Sequence, residues 1–326
     1  MSTPTQGSDT PAQPAGATIG DCTGGTSGDV SGAWMFARYA YAPNKLGFCG
    51  PAETGALAAA GSAQLGSADD VRAVARRFSG AWPYLQVLSK LTGIADPLDR
   101  RIVEAYWLGG GVGAEISPRD FGAHLLALIG PQASSYWSHL NSELVAEAAG
   151  NHCFHVFGVY PWSRLLAAHG VAGPGAAARG DEPVNEPLRV LDNCRIRWGT
   201  VVARDGDQVE LTSRRLTWDG FALRLGDPVP ERVRVSVDGL SFLPDVAPGD
   251  QVALHWDWLS DRLRPDQAET LEASTLRQLD ATNLRLAAAR MGSRVSARQS
   301  ARPADRPWPA PGRPGPDRAA EAGWTW

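Results

Sequence analysis

The hydrophobic period of this chain changes once, and that change limits its fold more than any other feature. From about Gly32 to Gly170 apolar residues recur at helical spacing. Further on they alternate instead, as residues on a half-buried strand must. The segment between, VAGPGAAARGDEPVNEP, has the composition of a linker and places a boundary within residues 171–187. At roughly 100–200 residues per domain, a length of 326 residues agrees with two folded units.

The first unit, residues 32–170, reads as all-α, with five or more helices. In ADDVRAVARRFSG, Val71, Val74 and Phe78 share a face with arginines opposite. WPYLQVLSKLTG aligns Trp82, Leu85 and Leu88, and Gly93 is a natural stop. Asp96 with Pro97, and Ser117 with Pro118, read as helix starts. A short polar side chain there caps free amides, and proline lacks an amide that would otherwise go unbonded. Leu108 to Gly113 follows a helix and lacks the Lys-Ser/Thr of a phosphate loop, so it reads as a helix stop. NHCFHVFGVYPW is β-branched and aromatic and reads as a strand.

The second unit, residues 188–290, has short alternating segments joined by Gly/Asp turns, the pattern of a small barrel of OB or SH3-like size. A long helix follows, with Leu271, Leu276, Leu279 and Leu286 on its apolar face. The expected fold class is α+β: an all-α N-terminal domain, then a small OB-like β-barrel with a C-terminal helix. Residues 1–31 and 291–326 have little to bury and read as disordered. Trp308, Trp324 and Trp326 in the latter read either as a docking motif or as part of a tail of no fixed role.

Composition excludes several classes. Thirty-five acidic against 31 basic residues, net charge -4, disfavour nucleic-acid coating. The aromatic residues Trp198, Trp218, Trp256 and Trp258 therefore read as core or protein contacts rather than base-stacking platforms. No apolar run reaches the ~18–20 residues of a bilayer span, so membrane insertion is not expected. The amino terminus lacks the basic start and apolar stretch of a signal peptide, which predicts a cytoplasmic protein. Four scattered cysteines without a CxxC argue against a disulfide scaffold and for reduced thiols. Lys45 and Lys90 are the only lysines, as the codon bias of a high-GC bacterium, for example an actinobacterium, would produce.

One stretch carries a resemblance. Cys194-Arg-Ile-Arg-Trp-Gly199 is followed by Thr200-Val-Val-Ala-Arg-Asp-Gly206; later come Pro248-Gly-Asp-Gln-Val-Ala-Leu-His255 and a helix RPDQAETLEASTLRQL. In order and spacing this resembles the HypC/HupF family of hydrogenase assembly chaperones, over about residues 190–280. Trp198 stands where that family has a proline, Arg197 where an apolar residue is usual, and Cys194 is internal. The resemblance implies a chaperone that carries an iron bearing cyanide and carbon monoxide, with Cys194, at the start of a barrel strand, as thiolate ligand and His255 beside it. Thiolate and imidazole are suitable donors for such an iron. It further implies, as partners, hydrogenase maturation proteins or the large subunit, met at an edge formed by Cys194, Trp198, His255, Trp256 and Trp258.

His152-Cys153-Phe154-His155 is the densest group of metal-ligating side chains. On a strand its two histidines point to opposite sides. A metal bound here would need Cys49, or the Cys194/His255 pair, to complete a site between the two halves. The expected function is thus a non-catalytic accessory protein for a nickel–iron hydrogenase. A cysteine-dependent enzyme acting on a small molecule, or a generic interaction module, is the alternative.

Overall fold

Helices form where cap chemistry and apolar spacing coincide. The computed structural model describes residues 30–52, 55–63, 66–130, 137, 139–168, 185–236 and 239–300, with backbone alone for 63, 167–168 and 292–300. The expected disorder before residue 30, most of the linker and the tail beyond 300 lie outside the described residues. The helical part opens with α1, Ser31–Lys45, α2, Gly55–Ala63, and α3, Ala68–Ala75, whose cap Ser67 accepts from the Asp69 amide. Next comes α4, Trp82–Thr92, closed by Gly93 at a left-handed φ of 74°. Then follow α5, Arg100–Leu108, α6, Pro118–Ile129, capped by Ser117 as read, and α7, Ser142–Val145. Asp96 caps no helix. Asp99 caps α5, while Asp96 takes Arg72 at 2.6 and 2.8 Å.

Three expectations are corrected. NHCFHVFGVYPW is helical: α8, His152–Phe154, runs into a π-helical turn, His155–Val159. Its start signal is Asn151, whose side chain accepts from the Phe154 amide at 3.0 Å. The segment is buried on every side, so it has no amphipathic period, and β-branched composition reflects packing more than backbone preference. The second correction concerns Cys194, which ends a helix rather than opening a strand. After α9, Trp162–Ala168, comes α10, Glu186–Cys194, capped by Asn185 with Pro187 in its first turn. The third is the C-terminal helix α11, Pro265–Ser300, which runs ten residues into the stretch read as a tail. Leu271, Leu279 and Leu286 of its expected stripe are buried, whereas Leu276 is exposed.

The strands are β1, Arg197–Asp205, β2, Gln208–Trp218, β3, Leu223–Arg234, β4, Gln251–His255, and β5, Trp258–Arg262. They form an antiparallel sheet in the order β3-β2-β1-β4-β5. Among the described residues no ladder joins β3 to β5, so the architecture is an open five-stranded sheet with helices before it and one after. β1 and β4 are neighbours, pairing Arg197 with Leu254 and Gly199 with Val252.

One apolar core runs through both halves: Phe36, Tyr39, Leu85 and Trp107 from the helices join Ala253, Trp256, Trp258 and Leu271. Tyr41 of α1 meets Trp258 of β5 edge-on at 5.0 Å, and Arg38 pairs with Asp261 at 2.6 Å. The helical half therefore packs directly on β4 and β5. This contact brings their side chains together. The N-terminus of α1 sits equally close to the loop before α5. A Cβ on Gly32 would lie 2.0 Å from the Leu98 carbonyl oxygen, a backbone atom that cannot swing aside. Gly32→Ala is expected to cost about 2 kcal/mol net, overpacking outweighing the gain in helix propensity. An unchanged urea midpoint would contradict that packing.

Candidate metal centre

The centre begins with a proline. Pro43 lies inside α1 and has no amide to offer the Tyr39 carbonyl one turn earlier. That carbonyl instead accepts the Nδ1–H of His255, at 2.6 Å. A neutral imidazole carries one proton, so Nε2 keeps its lone pair. This nitrogen is buried and has no hydrogen-bond partner, although the Cys194 carbonyl lies close to the ring. A backbone carbonyl that fixes the far nitrogen is the arrangement that orients a histidine toward a metal.

His152 is placed by α8 and held from two sides. Its Nε2 donates to the Cys194 carbonyl at 2.9 Å, an acceptor left free because α10 ends there. Its Nδ1 accepts from the Tyr106 hydroxyl at 3.2 Å. A hydroxyl both donates and accepts, so the ring can turn its proton to Nδ1 and release Nε2 without losing Tyr106. The Trp107 ring covers both imidazoles, with centroids 4.9 Å from His152 and 5.7 Å from His255.

The ligand atoms of His152, Cys194 and His255 all lie within 4.8 Å of one another, and all three residues are buried. Donors at the usual 2.0–2.3 Å from one tetrahedral ion stand roughly 3.5 Å apart, so closing on an ion needs about an ångström of movement. The three residues could hold a metal ion. They border a cavity of about 240 Å³ that Cys49 and Tyr160 also line. Burial lowers His255 to about 4, and it lowers His152 well below its ordinary value, with His255 and His155 adding to the effect. Burial also pushes the Cys194 thiol well up, helped by the neighbouring Cys49. At neutral pH the metal-free centre is therefore two neutral rings and a protonated thiol.

Two buried arginines brace this centre. Arg195 pairs with Asp192 at 2.8 Å and donates to the Arg214 carbonyl at 2.6 Å. Arg197 pairs with Glu231 at 2.6 Å and donates to the Trp256 carbonyl at 2.8 Å. The second bond holds a turn of unusual conformation. Trp256 and Asp257 link His255 to Trp258, and Trp256 has φ 56°, the one positive value outside glycine among the described residues. A left-handed residue of this kind costs roughly 1–2 kcal/mol. It is offset by the Arg197 bond, by the Trp256 amide donating to Asn193 at 2.8 Å, and by stacking on Phe48 at 4.0 Å. The turn directly follows His255, so these contacts set where that ring stands.

The remaining candidates lie elsewhere. Cys153 faces away, its sulfur 3.6 Å from Thr275 of α11. His155 is packed among Tyr84, Trp137 and Tyr160, and burial lowers it to about 3. Cys153 is out of the cluster because adjacent helical residues point about 100° apart, whereas His155, stacked 6.2 Å from the His152 ring, is held away from it among those aromatic rings. Trp256 is buried on Phe48 and Trp258 on Tyr41, so both faces are occupied within the chain; Trp198 is half-buried under Arg195, 5.8 Å away. Pro43, Tyr39 and Tyr106 also shape the site and belong to none of the sequence motifs above. Of these only Pro43, a proline within a helical pattern, carries a signal in one sequence.

The fold and site thus define a helix-and-sheet protein with a buried two-histidine, one-cysteine cluster where its halves meet. A family model described as a family of unknown function, DUF6390, matches residues 28–289, and the chain belongs to that family. The match runs from before α1 into α11, across both halves. Neither the curated proteins nor the solved structures give a match. No helix among the described residues is long and apolar enough to cross a membrane.

Proposed function

We propose that this protein is a non-catalytic, metal-handling assembly factor in which His152, Cys194 and His255 hold iron as cargo. We further propose that it serves a nickel–iron hydrogenase in the cytoplasm, meeting a maturation factor or the large subunit. One observation carries the metal reading: three ligand atoms of buried residues, from α8, α10 and β4, converge within 4.8 Å at the edge of a cavity. The hydrogenase reading is supported by the identity of two of them. Cys194 and His255 are the pair to which the HypC/HupF resemblance attaches iron. Thiolate with imidazole suits iron, zinc and copper alike, so the resemblance alone favours iron among them.

A cysteine-dependent enzyme is the second reading, favoured by the cavity that Cys194 lines. The electrostatics weigh against it. A nucleophilic cysteine needs a base that keeps it as thiolate, and His255, at about 4, is too weak to take that proton at neutral pH.

Anaerobic loading with Fe(II), followed by metal analysis, tests the proposal. The expected result is a single iron per chain, lost in Cys194→Ser and His255→Ala, weakened in His152→Ala and retained in Cys153→Ser. Wild-type protein without bound iron, or variants that all retain it, would overturn the metal reading. A pull-down from a hydrogenase-expressing host tests the rest. Failure to recover a maturation factor or large subunit, where a true HypC is captured with its partners, would remove the hydrogenase assignment alone.

A further inference from the structure

The three-residue cluster has a deficit of charge. A divalent ion held by one thiolate and two neutral imidazoles keeps a net charge of +1, and a bare charge in an apolar cavity costs several kcal/mol. Among the described residues the cavity wall has no carboxylate to balance it. It does have a second thiol. Cys49 lines the same cavity, outside the 4.8 Å cluster, and lies near enough to Cys194 to raise that thiol's proton affinity. Its position differs from the others, because it is half-buried and stands at the solvent side, on the short loop that follows α1.

The loop is built to place it. Gly47 and Gly50 flank Cys49 at φ 78° and 80°, conformations that glycine adopts without strain. The buried Asn44 donates to the Cys49 carbonyl at 2.9 Å, which turns the chain back over the cavity. Phe48 lies on Trp256, the residue after His255. Inside, the lone pair of His255 Nε2 waits unpartnered in a residue only 1% exposed.

We propose that Cys49 is the fourth ligand of a divalent ion held by His152, Cys194 and His255. Together they form a two-histidine, two-cysteine tetrahedral centre whose solvent-side ligand is carried by the 46–50 loop. Binding releases one proton from each thiol to solvent and leaves the centre neutral. Zn(II), Co(II) and Fe(II) take such a donor set. The ligand on this partly exposed loop is also the one an incoming group would displace, so Cys49 marks where metal enters and leaves. The inference rests on the three-residue site as a metal site and is independent of the hydrogenase assignment.

Co(II) is the probe, added anaerobically to the reduced, metal-free full-length protein. Wild type is expected to show tetrahedral visible bands and sulfur-to-cobalt charge transfer from two thiolates. Cys49→Ser and Cys49→Ala should each keep about half of that charge-transfer intensity and bind roughly tenfold or more weakly. In wild type, bound Co(II) should also protect Cys49 from iodoacetamide, read by mass spectrometry, a measurement that needs no variant to fold. Full charge-transfer intensity and affinity in both Cys49 variants, or alkylation of Cys49 with Co(II) still bound, would overturn the inference and leave the three-residue centre standing. Wild type that binds no Co(II) would overturn both.

Discussion

Lowering the pH of the metal-free protein from 6.5 to 5 is expected to remove about 5 kcal/mol of folding stability, from three histidines alone. His152, His155 and His255 are fully buried, and burial depresses all three, His155 to about 3 and His255 to about 4. In the unfolded chain each returns to about 6.5. Below that value the unfolded state binds more protons than the folded one, so stability falls as the pH falls. The loss continues until the folded rings protonate in turn, near pH 4 for His255 and near 3 for His155. At pH 5 the slope approaches three protons, roughly 4 kcal/mol per pH unit. For a domain of ordinary stability, about 5–15 kcal/mol, acid unfolding should therefore begin well before the carboxylates titrate. Urea unfolding at half-unit steps between pH 7 and 5 gives the slope directly. A value of one proton or less would mean that these rings are solvated or already charged in the folded protein.

Removing the Arg197 guanidinium should be the most damaging single substitution near the centre. Arg197 is 0% exposed, and it alone among the described residues bonds both the Glu231 carboxylate and the carbonyl of the strained Trp256. Arg197→Ala leaves Glu231 with Arg215 and Ser213 but strips its innermost partner, and it leaves the Trp256 carbonyl unbonded. Breaking a buried pair from one side costs about 3–5 kcal/mol, because the partner's charge stays behind. The Arg72–Asp96 pair is bidentate but more than a quarter exposed on each side, so Arg72→Ala should cost at most about 1 kcal/mol. Chemical denaturation of the two variants side by side makes the comparison. Equal losses would show that the Arg197 network does not hold the turn. If Arg197→Ala is folded enough to purify, its metal affinity should also fall, since the turn it releases directly follows His255.

How much of this was legible beforehand differs from residue to residue. Val71, Val74 and Phe78 are buried on one face of α3 and the turn after it, and Ser117 caps α6. These are local rules, satisfied within a few residues of chain. His152 reads as a strand residue for the opposite reason. Its segment is buried on all sides, which erases the periodicity that separates helix from strand, and the cue that remained was a single capping asparagine. Cys194 reads as a strand residue because the resemblance places its cysteine at one. The chain instead finishes α10 there, and so leaves a free carbonyl for His152.

The sequence by itself determined the change from helical to alternating period, the caps that start several helices, and the chemical identity of the candidate ligands. It also singled out Cys194 and His255 as a pair. The tertiary structure alone decided that His152 joins them while Cys153 and His155 do not. It also decided that the Pro43-freed carbonyl of Tyr39 sets the His255 tautomer, and that Arg197 pins the turn beyond. The physical reason is range. Caps and periodicity act over one or two helical turns, whereas the centre is assembled by packing α1, α8 and α10 onto β4. Its electrostatics follow from the burial which that packing creates.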